Sequence, residues 1–121
     1  MAIKSAFAGS WHITEMQLWE RDDIDLLGPG HITFGSDEMG QFQFCAVRGW
    51  IDCRFGERDG KPLVEFSWAG QDDTEEACGR GCAVIDHDGS MQGRLFIHQG
   101  DDSAFTAVRG PSGSRSSRPR R

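Results

Sequence analysis

Tyrosine is absent from the 121 residues, and so is any run approaching the ~18 to 20 apolar residues that a bilayer-crossing helix needs. The opening stretch from Met1 to Gly9 holds too short an apolar segment for secretion. A soluble, cytoplasmic protein without a membrane partner is the expectation. Positive charge is also scarce: over residues 1–109, nine Lys and Arg stand against nineteen Asp and Glu, a deficit of ten. An acidic body of this kind repels phosphate backbones, which argues against nucleic-acid binding by the folded part. The four remaining Arg fall in residues 110–121, where there is no acid and nothing apolar to bury. We therefore expect one domain over residues 1–109 and a disordered basic tail over 110–121.

Signatures of catalysis and of cofactor binding are missing as well. There is no Gly-x-Ser-x-Gly elbow and no Gly-x-x-x-x-Gly-Lys phosphate loop. None of His12, His31, His87 and His98 has a His or Cys two or four residues further on, and Cys45, Cys53, Cys78 and Cys82 do not form paired zinc knuckles. Asp86-His87-Asp88-Gly89 looks like part of a calcium loop, but Ile97 stands where the twelfth-position Glu belongs. No metal and no cofactor are expected, and no catalytic residue is assigned. Cys45 and Cys53 read as small core residues. Cys78 and Cys82 bracket the flexible Gly79-Arg80-Gly81 and could approach as a regulatory disulfide.

What the chain does have is rings and turns. Sixteen Gly, eight Phe and four Trp imply a chain that reverses often around a core of a few large aromatics. Gly9 to Trp19 alternates as a long strand, with Trp11, Ile13, Glu15, Gln17 and Trp19 on one face. Glu20 to Leu27 then changes period, Ile24 and Leu27 being three apart, and Gly28-Pro29-Gly30 stops it; this predicts a short helix, poised as a lid over a barrel mouth. Alternating stretches come at 31–34, from Phe42 to Phe55 with Gly49 as a kink or turn, at 62–68, 81–86, 91–98 and 103–109. They are separated by Arg58-Asp59-Gly60, an acidic loop from Gly70 to Gly79, Asp86 to Ser90, and Gln99 to Asp102. Seven or eight short strands joined by local turns predict an all-β, antiparallel up-and-down barrel with one short helix after the first strand. A barrel of eight strands encloses roughly enough space for side chains or for one small ligand.

Gly9-Ser10-Trp11 at the start of the first strand, the short helix after it and Arg109 at the end of the last strand together resemble the calycin superfamily of lipocalin-like barrels. The resemblance implies that Gly9 and Trp11 lie at a closed barrel base with Arg109 packed across the indole. The chain departs from true lipocalins in lacking their Thr-Asp-Tyr motif and long C-terminal helix. Trp11-His12-Ile13-Thr14-Glu15-Met16 and Gly100-Asp101-Asp102-Ser103-Ala104-Phe105 are similar to stretches of small bacterial proteins with no assigned activity.

Two classes of function are then open. Glu15 shares its strand parity with Trp11 and Ile13; if that face lines the barrel, Glu15 is a buried acid that needs Arg94 or His98 as partner. Leu95 and Ile97 favour one parity for residues 91–98. Phe96 set opposite Phe105 favours the other, which would bring Arg94 and His98 into a polar cavity. Trp11, Glu15, Arg94 and His98 are accordingly the candidates for binding a small, partly apolar ligand, in a non-enzymatic binding or interaction module. The alternative is a hydrolase or isomerase using Glu15 as its cavity acid. Glu65 is expected to face water and pair with Arg54.

Overall fold

The chain reverses where its sequence tolerates left-handed backbone: at Cys45 (φ 53°), Asp59 and Gly60 (52° and 78°), Asp73 (59°), Gly89 (87°) and Gln99 (58°). Each of these reversals is short, so the strand that follows it must pair with the strand that precedes it. The computed structural model describes residues 2–35 and 37–110. Its strands are β1 (Gly9–Met16), β2 (His31–Phe34), β3 (Met39–Phe44), β4 (Val47–Arg58), β5 (Lys61–Asp72), β6 (Glu75–Ile85), β7 (Met91–Ile97) and β8 (Asp102–Arg109). All pairs are antiparallel, the spatial order is the chain order, and β8 closes on β1 to complete an eight-stranded barrel. Two helices accompany them, α1 (Ala2–Phe7) and α2 (Arg21–Ile24). Of the expected tail, residues 111–121 lie outside the described residues, while Gly110 still donates its N–H to the Ser10 carbonyl at 2.9 Å.

Several boundaries differ from those expected. Gly49 lies inside an unbroken β4, and the acidic stretch from 70 to 79 is mostly strand: β5 runs to Asp72, β6 starts at Glu75, and only Asp73 and Thr74 turn. Acids at the tips of long strands stay solvated, so their charge does not oppose pairing. The helix α1 had not been anticipated. Its Ile3 and Phe7 stand four apart among good helix formers, and Gly9 at φ 107° ends the helical geometry.

The two helices close the two ends. At the base, Phe7 is fully buried and packs edge-on against Phe34 (5.4 Å between ring centres) and tilted against Phe55 (5.7 Å). At the other end, Ile24 of α2 is buried, and its carbonyl accepts the Cys45 N–H at 2.8 Å. The expected apolar stripe of this lid reduces to Ile24 alone, because Leu26 and Leu27 are exposed. Trp19, just before α2, leans on Phe44 at 5.2 Å.

The strand faces are set by one irregularity. From Trp11 to Ile13, β1 pairs in step with β8, but the register shifts between Ile13 and Glu15, a bulge at Thr14. One extra residue reverses the parity of the rest of the strand. Trp11, Ile13 and Met16 therefore face in, and Glu15, expected inside, is exposed. In β7, Met91 and Leu95 are buried while Arg94 and Phe96 are exposed, so the parity favoured by Leu95 and Ile97 is the real one. The β7–β8 turn sets Gly93, rather than Phe96, opposite Phe105. His98 lies in that turn and is exposed.

Candidate functional site

The interior is built from rings laid over glycines. The inward positions of β6 run Ala77, Gly79, Gly81, Ala83, Ile85, nearly without side chains at their centre, and the neighbouring strands contribute Phe66, Trp68 and Phe105. A Cβ added at Gly81 would come 2.5 Å from the Phe66 ring, one at Gly93 would come 2.6 Å from the Phe105 ring, and one at Gly49 would come 2.6 Å from the Phe42 ring. These glycines are therefore floors on which rings rest. Trp68 meets Phe42 edge-on at 5.0 Å, and its indole N–H donates to the Phe96 carbonyl at 3.1 Å, so the one polar atom of that ring is satisfied where it is buried.

At the base the first and last strands meet. Trp11 pairs with Arg109 in the ladder, and the Arg109 guanidinium lies 4.2 Å from the centre of the Trp11 ring. The same guanidinium donates to the Ala6 carbonyl at 2.8 Å and to that of Ala8, capping the free carbonyls at the end of α1, while the Trp11 N–H donates to the Phe7 carbonyl at 2.9 Å. One side chain thus joins the helix to the closing seam.

The expected cavity set is not brought together inside the barrel. Trp11 is buried at the base, Glu15 and Arg94 stand on the outer face, and His98 is in an exposed turn. The bulge at Thr14 moves Glu15 out, and the four-residue turn after β7 moves Arg94 and His98 out. Two of the four nevertheless line one open groove of about 900 Å³ that crosses the outer face from β5 to β1. Leu63, Val84, Gln92, Thr106 and Glu15 form one row across it, each opposite the next in the ladder. Cys82, Arg94 and Ala104 lie in the next row. Arg94 donates to Asp102 at 2.8 Å, Thr106 to Gln92 at 3.0 Å, and Arg21 of α2 to the Thr14 carbonyl freed by the bulge at 2.9 Å. The groove is therefore apolar along Leu63, Val84 and Ala104 and polar at its margins.

A second cleft, of about 560 Å³, lies on the outer face of β2 to β5 and was missed by sequence reasoning. Trp50 is 68 % exposed there, with Gln41 directly across from it and Arg48 between Gln43 and Gln71. The signal was present in the sequence: Trp50 shares its parity in β4 with Arg48, Asp52 and Arg54, an otherwise charged set.

Other candidates are occupied by structural work. Asp86 holds Lys61 at 2.7 Å, and Asp88 accepts from the Ser90 hydroxyl at 2.7 Å and from its backbone N–H at 2.9 Å, bonds that keep the Asp88 carboxyl below its ordinary range. Arg54 sits opposite Glu65, but its ion pair is with Asp52 at 2.7 Å. All four cysteines are free. Cys78 and Cys82 are four residues apart along an extended strand, about 13 Å, roughly twice the reach of a disulfide, so the expected bridge is excluded by geometry. Burial, with the Asp52 carboxylate next in weight, pushes the Cys53 thiol up to about 11; burial, with Asp23 and Asp72, does the same for Cys45. Among the described residues no three His, Cys, Asp or Glu side chains converge as a metal site, and no helix is long and apolar enough to cross a membrane. No family model, curated protein or solved structure matches the chain.

Proposed function

We propose that the protein is a non-enzymatic, calycin-like binding module that meets a small, partly apolar ligand on the outer face of its barrel, in the groove holding Glu15 and Arg94. The observation that carries this reading is the contrast between an interior occupied by rings seated on glycines and an outer groove of about 900 Å³, a size within the ~300 to 1,000 Å³ range of small-molecule clefts. The groove offers an apolar strip with a guanidinium at its side, suited to a ligand with an apolar body and an anionic or hydrogen-bonding end. An enzyme working through Glu15 would need that carboxyl in a water-excluding site, and it is exposed.

The test is a titration of the 15N-labelled protein with 8-anilinonaphthalene-1-sulfonate, whose rings and sulfonate mimic this ligand class. Amide shifts are expected to concentrate at Val84, Arg94 and Thr106 and to weaken in Arg94→Ala. Shifts centred on Phe66, Leu95 and Met91 would mean that the ligand enters the barrel, and the outer-face reading would be wrong.

A further inference from the structure

The cleft around Trp50 combines features that the packing of the barrel does not need. Trp50 stands on β4 facing away from the core, at 68 % exposure, and contributes nothing to the interior. Around it the ladder sets Gln41 on β3 directly opposite, and a row of His31, Gln43, Arg48 and Gln71 on four successive strands. Among the described residues, the side chains of Gln41, Gln43, Arg48, Trp50 and Gln71 make no hydrogen bond or ion pair with one another or with the rest of the chain. Elsewhere on the barrel surface some long polar side chains are partnered, Arg54 with Asp52, Lys61 with Asp86, Arg94 with Asp102 and Gln92 with Thr106, while Glu57, Arg58, Glu65 and Arg80 are not. What sets this place apart is that three unpartnered amides and an unpartnered guanidinium line one concavity of about 560 Å³ around an exposed indole.

The chemistry of the set selects its ligand. Three primary amides each present two donors and an acceptor with two lone pairs, which matches hydroxyl groups, themselves donors and acceptors. The indole face, with its negative quadrupole, suits the weakly positive C–H face of a pyranose ring. No carboxylate lines the cleft, so a cationic ligand has no counter-charge there. The acidic balance of residues 1–109 opposes a polyanion such as single-stranded nucleic acid, which would otherwise be the competing stacker. We infer that the Trp50 cleft is a saccharide-binding site, with the indole stacking on an uncharged pyranose ring and Gln41, Gln43, Gln71 and Arg48 bonding its hydroxyls. This site is separate from the groove holding Glu15 and Arg94, and neither depends on the other.

The full chain, immobilised on a sensor, is tested against cellotriose, maltotriose, laminaritriose, chitotriose and mannotriose, with oligo(U) and oligo(A) decamers alongside, and the Trp50 indole N–H is followed by NMR. At least one trisaccharide is expected to bind with millimolar or better affinity and to shift the Trp50 resonance. Trp50→Ala should abolish that binding, and Gln41→Ala and Gln71→Ala should each weaken it about 3- to 10-fold, all with unchanged melting temperature because these side chains are exposed. Failure of every trisaccharide at 10 mM, binding that survives Trp50→Ala, or Trp50-dependent binding of the oligonucleotides alone would each overturn the inference. None of those results bears on the naphthalenesulfonate titration.

Discussion

Trp50 and Trp68 stand on adjacent strands one ladder step apart: Trp50 is opposite Ala69, and Trp68 is opposite Ile51. Trp68 is 3 % exposed, seated over Gly49 and Gly79 with its N–H bonded to a carbonyl, whereas Trp50 is 68 % exposed with its N–H unpartnered. Nothing in the ring distinguishes them. A single step of parity puts one into the core and the other into water. The comparison teaches that the same residue type can hold this barrel together on one face and remain free to recognise something on the other.

The largest way to sharpen the contrast is to remove the inner ring. Trp68→Ala should destabilise by roughly 3 to 5 kcal/mol, since it leaves a cavity above two glycines, and urea unfolding with a shared m-value measures it. Filling the floor instead of removing the ring should also be costly: Gly81→Ala places a methyl against Phe66 and is expected to lose about 1 to 3 kcal/mol, read in the same way. If Gly81→Ala were neutral, rings would not be resting on the β6 backbone.

Alkaline pH probes the core through Cys53. Its thiol is raised in the fold to about 11 from an ordinary 9.0, so between those values the unfolded chain has released a proton that the native state retains. Stability is therefore unaffected by this group below about pH 9 and falls as pH rises toward 11, by up to about 2 to 3 kcal/mol. With no tyrosine in the chain to titrate in the same window, unfolding curves from pH 8 to 11 read this fall together with the like contribution of Cys45, and Cys53→Ala should remove about half of it while Cys53→Ala with Cys45→Ala flattens it.

The seam at the base comes next. Arg109→Ala should cost about 0.5 to 2 kcal/mol, and combined with Trp11→Ala it should add little, because the guanidinium acts on that ring; strict additivity in the cycle would contradict a shared contact. The smallest effect belongs to the outer ring: Trp50→Ala should change stability by no more than about 0.5 kcal/mol. A loss near that of Trp68→Ala would erase the distinction between the two rings.

How far the sequence foretold this depends on the range of the interaction. The hairpin at Asp59-Gly60, the turn at Asp86 to Ser90 and the alternation through Val64, Phe66 and Trp68 are local facts, and all are present in the structure. The helix α1 was legible in the four-residue spacing of Ile3 and Phe7, yet too short to stand out without the base that it packs against. Glu15, Arg94 and His98 were misplaced for a different reason. Their faces depend on a bulge and on a turn length, and both are set by which residues of β8 end up opposite β1 and β7. Trp50 was on the polar parity of its strand throughout, but only the neighbouring strands reveal that three unpartnered amides surround it.

The sequence by itself determined the strand order, since from β2 onward turns of two to five residues leave an antiparallel strand no neighbour but the preceding one, and it determined that the core would be aromatic. The tertiary structure alone decided which side is inside in β1 beyond Ile13 and in β7. Closing a barrel forces the last strand into register with the first, and the mismatch is absorbed by one extra residue at Thr14, which reverses every side chain beyond it in β1.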